Sequence, residues 1–226
     1  MHETELRHEL KVVADSHRLA QARSWIRLHP AGFRTTFPPR LVNNLYLDTL
    51  HLNSFSANQA GVSIRQKLRL RWYGTTTLLT EQPILELKCK ADLLGNKKLQ
   101  ALDCVLDWQR PYRHILQTIR DSAGEKWTAW LNAAGQPMLI NQYRREYFGS
   151  IDGHLRATLD YAQVAYDQRL ASRPNLQRPQ PLASFVVIEM KAAPEYSSAL
   201  EAAMAHFPLP RSRNSKYMNG VAASWL

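Results

Sequence analysis

The architecture of this 226-residue chain follows most directly from one stretch, Ile64-Arg65-Gln66-Lys67-Leu68-Arg69-Leu70-Arg71-Trp72-Tyr73. Its odd-numbered positions up to 71 are all basic, and its even-numbered positions are mostly aliphatic or aromatic. A period of two is typical of a β-strand, because successive side chains point to opposite faces of a sheet. The stretch therefore predicts a strand with one apolar face and one face that carries four positive charges.

Charged side chains recur on one phase of five other segments, at residues 6–12, 84–90, 143–147, 156–160 and 186–191. These segments are predicted strands as well. A further short strand is predicted at 45–48, and a hairpin is predicted from 139–148 and 155–161. Apolar residues at helical spacing and capping residues predict helices at 16–28, 111–120, 125–133 and 197–207.

The charged phase of these strands has a strong bias in sign. It holds eleven basic and four acidic side chains, so it accounts for most of the formal net charge of +10. For any single strand a solvated outer face is the usual interpretation. A solvated face has no reason to concentrate one sign of charge, however, and mixed charges repel one another less. The whole set favours charged faces that turn inward, which predicts a mainly β (α+β) fold: a closed antiparallel β-barrel tunnel with helices packed outside, formed as one domain by residues 1–226.

An interior lined by arginine and lysine requires an anion. Arginine suits phosphate because its planar guanidinium donates two parallel hydrogen bonds. A chain of phosphates fills an extended interior better than a single phosphate does. The few carboxylates then have two possible roles: they hold Mg²⁺ or Mn²⁺ against a phosphate, or they pair with basic residues on neighbouring strands.

Other functional classes have little support in the sequence. The apolar runs are far shorter than the roughly 20 residues that span a bilayer, and the first residues do not resemble a secretory signal. Two cysteines, Cys89 and Cys104, without a CxxC pair support neither a disulfide framework nor a zinc site. We therefore expect a cytoplasmic protein.

Eight short motifs occur in an order that resembles the VTC (vacuolar transporter chaperone) polyphosphate polymerase domain, a member of the triphosphate tunnel metalloenzymes. The resemblance extends from about residue 7 to residue 220. The motifs are Arg7-His8-Glu9-Leu10-Lys11, Asn44-Leu45-Tyr46-Leu47-Asp48-Thr49, Leu68-Arg69-Leu70-Arg71-Trp72-Tyr73-Gly74, Leu85-Glu86-Leu87-Lys88, Tyr143-Arg144-Arg145-Glu146, Arg156-Ala157-Thr158-Leu159-Asp160, Val187-Ile188-Glu189-Met190-Lys191 and Ser215-Lys216-Tyr217.

The resemblance implies an ATP-polyphosphate phosphotransferase with Mn²⁺ or Mg²⁺ as cofactor and with ATP and polyphosphate as its partners. An unidentified membrane partner would have to supply any channel for the product. The implied catalytic residues are Arg69, Arg71 and Lys216. The implied phosphate- and nucleotide-binding residues are Lys11, Arg69, Arg71, Lys88, Arg145, Arg156 and Lys191. Glu189 would hold the metal, with Glu86 and Glu9 as further candidates, and Arg65, Lys67 and Lys90 would be wall charges.

Four alternatives remain open at the level of sequence. Asp48 is better interpreted as a turn or cap residue than as a ligand, and Lys216 is equally compatible with an exposed loop. The related CYTH hydrolases begin with Glu-x-Glu-x-Lys, whereas this chain has Arg7-x-Glu9-x-Lys11, which favours the polymerases over a triphosphatase. A non-catalytic nucleic-acid or polyphosphate binder would also use the positive charge, but no nucleic-acid-binding motif accompanies it.

Overall fold

The computed structural model describes residues 2–4, 7–75, 78–91 and 94–224, with no side-chain description for 2–4, 90, 91, 94 and 95. This part of the chain forms eleven strands and six α-helices. The strands are β1 (His2–Thr4), β2 (His8–Asp15), β3 (Arg34–Asp48), β4 (Ile64–Tyr73), β5 (Leu79–Glu81), β6 (Ile84–Ala91), β7 (Leu94–Ala101), β8 (Val105–Asp107), β9 (Gln136–Gly149), β10 (Leu155–Asp167) and β11 (Phe185–Ala192). The helices are α1 (Leu19–Arg27), α2 (Asn53–Gln59), α3 (Tyr112–Ala123), α4 (Glu125–Ala134), α5 (Ser197–Ala205) and α6 (Lys216–Ala223).

Nine strands form one antiparallel sheet in the order β1-β7-β6-β4-β3-β9-β10-β11-β2. The predicted antiparallel strands and outer helices are confirmed, but the predicted closed barrel is wrong. The N-terminal segment pairs with β7 from His2 to Thr4 and with β11 from His8 onward. Because no ladder joins the two edges within the described residues, the sheet is curled and open.

The sheet curls around its charged face. Thr4 on one edge and His8 on the other are four residues apart, so their Cα atoms lie at most about 14 Å from each other. The Nζ atom of Lys88 on β6 lies 3.5 Å from Oε2 of Glu9 on β2, although five strands separate β6 and β2 in the sheet order. The charged phase of the strands therefore lines a concave face.

The apolar phase of the strands lies on the convex face, beneath the helices. Helices α1 and α5 bury Ile26 and Met204 against Val12 and Ile188 of one half of the sheet. Helices α3 and α4 cover the other half with side chains such as Trp127. The alternation in the sequence therefore corresponds directly to the two faces of the sheet.

Helices α2 and α6, which the sequence patterns do not predict, pack beside the concave face. Their side chains Phe55 and Tyr217 form a small core with Tyr46 and Leu139. The fully buried carboxylate of Asp48 accepts hydrogen bonds from the backbone N–H of Ser54 and Phe55, at 3.0 and 3.2 Å, and from the Tyr217 hydroxyl at 2.6 Å. The interpretation of Asp48 as a capping residue is confirmed, and its carboxylate also fixes α6.

Replacement of Gly220 by alanine is expected to loosen α6. A Cβ atom at this position would lie 2.4 Å from Cδ2 and 3.1 Å from Cδ1 of the buried Leu139. Overpacking of this kind costs about 1–3 kcal/mol. Urea unfolding should show this loss, whereas Ala222→Ser at an exposed position of the same helix should stay within about 0.5 kcal/mol of wild type. Equal stability of all three proteins would contradict the close packing of α6 on β9.

Candidate functional site

The concave face brings together thirteen ionisable side chains, which we call the ionic face. Nine are cationic and four are carboxylates, an excess of five positive charges when all are ionised. The members are Glu9, Lys11, Lys67, Arg69, Arg71, Glu86, Lys88, Lys97, Arg145, Asp160, Glu189, Lys191 and Lys216. Burial of so much like charge is costly in the absence of a compensating anion.

Glu86 orients two arginines of the neighbouring strand. Arg69 lies directly opposite Glu86 in the register of β4 and β6, and its Nε donates to Oε2 at 2.8 Å. Nη1 of Arg71 lies 3.1 Å from Oε1, while its Nε donates to Oδ1 of Asn44 at 3.0 Å. Burial would raise the pKa of Glu86, but Arg69 and Arg71 outweigh it and lower the pKa below the ordinary range. Glu86 therefore stays ionised and fixes both guanidinium groups.

Asp160 contacts two further cations, Arg145 and Lys216. Arg145 donates to its two carboxylate oxygens at 2.6 and 2.7 Å, and Nζ of Lys216 lies 2.5 Å from Oδ2. The same ammonium group lies 4.4 Å from the ring centroid of Tyr143. Burial of Asp160 acts to raise its pKa, but Arg145 and Lys216 lower it overall. Lys216 is therefore part of the ionic face rather than an exposed loop lysine, because α6 positions it there.

Two further carboxylates share two lysines at the junction of β2 and β11. Nζ of Lys11 lies 2.6 Å from Glu9 and 3.2 Å from Glu189, and Nζ of Lys191 lies 3.4 Å from Glu9 and also contacts Glu189. Glu9 is opposite Lys191 and Glu189 is opposite Lys11, so the carboxylates are diagonal neighbours. Burial and Glu189 oppose ionisation of Glu9, yet Lys191, Lys11 and Lys88 lower its pKa to about 2.

Lys67 and Lys97 have no carboxylate within ion-pair distance among the described side chains. Lys67 donates to the Ser215 hydroxyl at 3.0 Å. Burial, together with nearby cations such as Lys88, lowers the pKa of Lys67 to about 7. Burial and Lys191 lower the pKa of Lys97 to about 7 as well, although Glu86 opposes this shift. The two lysines therefore mark the part of the ionic face where an anion would relieve the most repulsion.

The sequence-predicted site residues mostly converge on this face. Arg156 shares their phase but lies exposed at the start of β10. Arg65 lies farther along β4, where it donates to the carbonyl of Val62 at 3.0 Å, and the Lys90 side chain lies outside the described residues. Glu86 contacts Arg69 and Arg71, whereas Glu9 and Glu189 share Lys11 and Lys191.

Sequence reasoning missed the importance of Lys97 and the central position of Asp160. Lys97 belongs to β7, a strand whose sequence lacks the clear alternation of the other segments. The signal for Asp160 was present, because its side chain belongs to the charged phase of β10. Its role as the shared partner of Arg145 and Lys216 depends on a contact between residues 56 positions apart.

The cation-rich concave face with a few buried carboxylates agrees with the class that the sequence motifs resemble, the triphosphate tunnel metalloenzymes, although the sheet is open. The VTC domain family model matches residues 6–225, and the chain belongs to this family. The predicted family resemblance is therefore confirmed. No curated protein sequence matches the chain.

Two solved structures show the same fold. The PH1819 protein from Pyrococcus horikoshii OT3 is 14% identical, with a TM-score of 0.51 over 96% of this chain and 99% of that chain. A protein from Vibrio parahaemolyticus described as a "putative adenylate cyclase" is also 14% identical, with a TM-score of 0.50 over 93% of this chain and 95% of that chain. No helix among the described residues is long and apolar enough to cross a membrane.

Proposed function

We propose that the protein is a polyphosphate polymerase that transfers the terminal phosphate of ATP to a growing polyphosphate chain on the ionic face. The observation that carries this proposal is the excess of five positive charges on a concave face. Two of the nine cations, Lys67 and Lys97, have no described carboxylate partner. A bound anion would therefore balance positive charge that the carboxylates of the ionic face do not balance. Membership of the VTC domain family supports the same substrate class.

The arrangement suits a chain of phosphates. Cations from β4, β6, β9, β11 and α6 face the same concave surface, so successive phosphates would meet successive groups. Glu86 and Asp160 hold Arg69, Arg71 and Arg145 in fixed orientations before any ligand binds. Donors that are already oriented stabilise developing charge without further reorganisation during the reaction.

Phosphoryl transfer requires little covalent chemistry from the protein. A terminal oxygen of the polyphosphate chain forms a bond to the γ-phosphorus of ATP, and the bond from that phosphorus to the β,γ-bridging oxygen breaks. ADP leaves with the electron pair of the broken bond. In our proposal Arg69, Arg71 and Arg145 stabilise the charge on the phosphate oxygens, and Lys216 lies at the end of the face nearest α6.

The residues present fit a divalent cation best at Glu9 and Glu189, where it would take the place of Lys11 and Lys191. Two carboxylates on adjacent strands, one half-buried and one buried, match the preference of Mg²⁺ and Mn²⁺ for one or two carboxylates plus phosphate oxygens. The described residues contain no group of three or more His, Cys, Asp or Glu side chains that could hold a metal, so phosphate and water would complete the shell. When bound, the cation would neutralise phosphate charge. Glu86 is a poorer candidate, because no second carboxylate among the described side chains shares its partners Arg69 and Arg71.

Incubation of the purified protein with ATP and Mn²⁺ or Mg²⁺ tests the proposal directly. We expect long polyphosphate on a gel together with ADP, since the cation-rich face would retain the growing anion. Lys216→Met should reduce synthesis at least tenfold, because it removes one of the two cations on Asp160. The matched exposed variant Arg178→Ala should synthesise normally. Free phosphate without polymer would indicate a triphosphatase instead, and no product with retained binding would indicate a non-catalytic binder.

A further inference from the structure

A cluster of exposed and half-buried aromatic residues continues the ionic face along three adjacent strands. Tyr73 follows Arg71 by two positions on β4, and Tyr147 follows Arg145 by two positions on β9, so each shares the phase of its arginine. Between them, β3 contributes Phe37 opposite Tyr147 and Arg40 opposite Arg145. We call Phe37, Arg40, Tyr73 and Tyr147 the aromatic platform.

The aromatic platform is built around the guanidinium group of Arg40. Its Cζ atom lies 5.2 Å from the ring centroid of Phe37, 5.6 Å from that of Tyr73 and 5.7 Å from that of Tyr147. The rings of Phe37 and Tyr147 are 5.9 Å apart at 82°. No described carboxylate forms an ion pair with Arg40, and the exposed fractions of Phe37 and Tyr73 are 53% and 43%.

We propose that the aromatic platform stacks against the nucleobase of a nucleoside triphosphate whose phosphates occupy the ionic face. Exposed aromatic rings, and a guanidinium plane that no described carboxylate contacts, are groups that stack on the π-face of a base. The platform adjoins the phosphate-binding cations, because Arg40 is the cross-strand neighbour of Arg145. Stacking recognises any base, so the inference specifies a purine or pyrimidine nucleotide donor with little preference between bases. It rests on the proposed function, which places a triphosphate on this face.

The test compares ATP with inorganic tripolyphosphate, which has the phosphates but no base. Dissociation constants for both would be measured by calorimetry with Mg²⁺ for wild type and for Phe37→Ala/Tyr73→Ala. Both substituted side chains are exposed, so the variant should fold. We expect ATP to bind roughly tenfold more weakly to the variant, while tripolyphosphate binding changes less than about twofold. The control Ile151→Ala/Leu170→Ala removes two exposed apolar side chains elsewhere and should bind both ligands normally.

The other outcomes separate this inference from the proposed function. The variant could bind ATP as tightly as wild type does, while wild type binds tripolyphosphate and synthesises polymer. This result would overturn the role of the aromatic platform and leave the proposed function standing. Equal weakening of both ligands would also overturn it, since the base would then have no part in the effect. Failure of wild type to bind either ligand would overturn the proposed function and the platform with it. A single-stranded oligonucleotide that binds more tightly than ATP, and loses affinity in the variant, would replace the nucleotide as the ligand.

Discussion

Arg69→Ala combined with Arg71→Ala is expected to abolish tripolyphosphate binding and to lower the free energy of unfolding by about 3–5 kcal/mol. From the sequence, two arginines that face an ionic interior predict loss of binding without unfolding. The structure adds Glu86, whose exposed fraction is 4% and whose carboxylate both arginines contact. Removal of both partners would leave a buried carboxylate without compensation, so stability must fall together with binding.

A triple variant separates the two effects. Addition of Glu86→Met removes the stranded charge and should restore the part of the lost stability that comes from burying that charge without a partner. Tripolyphosphate binding should stay absent in the triple variant, as measured by calorimetry. The control Arg113→Ala/Arg178→Ala removes two positive charges, as Arg69→Ala/Arg71→Ala does, but at exposed positions. It should bind tripolyphosphate and unfold like wild type. Tight binding by a folded triple variant would refute a role for Arg69 and Arg71 on the ionic face.

Local sequence patterns were sufficient for β2, β4, β6, β9, β10 and β11 and for four of the six helices, but not for β1, β5, β7 and β8. The alternation in β4 predicted which side chains are buried and which face the concave side, and apolar spacing located α1, α3, α4 and α5. These features depend on one element at a time, because a strand or helix shows its buried face through its own periodicity. The gathering of Glu9, Lys11, Glu189 and Lys191 followed from the same phase rule.

Features that depend on contacts between distant elements were not predictable in this way. No ladder joins the two edges of the sheet within the described residues, and the periodicity of single strands could not show this. Helix α6 is held by a hydrogen bond between Tyr217 and Asp48, 169 residues away. The start of β3 was missed because Pro38 and Pro39 lie within it, and proline normally argues against a strand. The aromatic platform was missed with it, since Phe37 and Arg40 lie in that same stretch.

The affinity for tripolyphosphate is expected to fall between pH 6 and pH 9. Lys67 and Lys97 should each contribute a factor of about tenfold to hundredfold to this loss. Burial and neighbouring cations lower the pKa of both lysines from 10.5 to about 7, so both are largely protonated at pH 6 and largely neutral at pH 9. A bound polyanion favours the charged form and raises both pKa values. Binding at pH 9 must therefore take up protons, and each pKa unit of this difference corresponds to about tenfold in affinity.

The double variant Lys67→Met/Lys97→Met supplies the comparison for this prediction. The affinity of the variant should be lower at pH 6 and should vary much less with pH, because the variant lacks both titrating lysines. The titration of tripolyphosphate itself affects both proteins equally and therefore cancels in the comparison. The stability of the ligand-free protein has the opposite pH dependence. Between pH 7 and pH 10.5 the unfolded chain binds more protons at these lysines than the folded protein does, so wild type becomes more stable as pH rises across that range. Parallel pH profiles for the two proteins, in binding and in urea unfolding, would show that neither lysine titrates near neutrality. We expect the affinity of wild type to fall more steeply with pH than that of the variant, while the stability of wild type without ligand rises. That result would show that the bound anion relieves the repulsion among the cations of the ionic face.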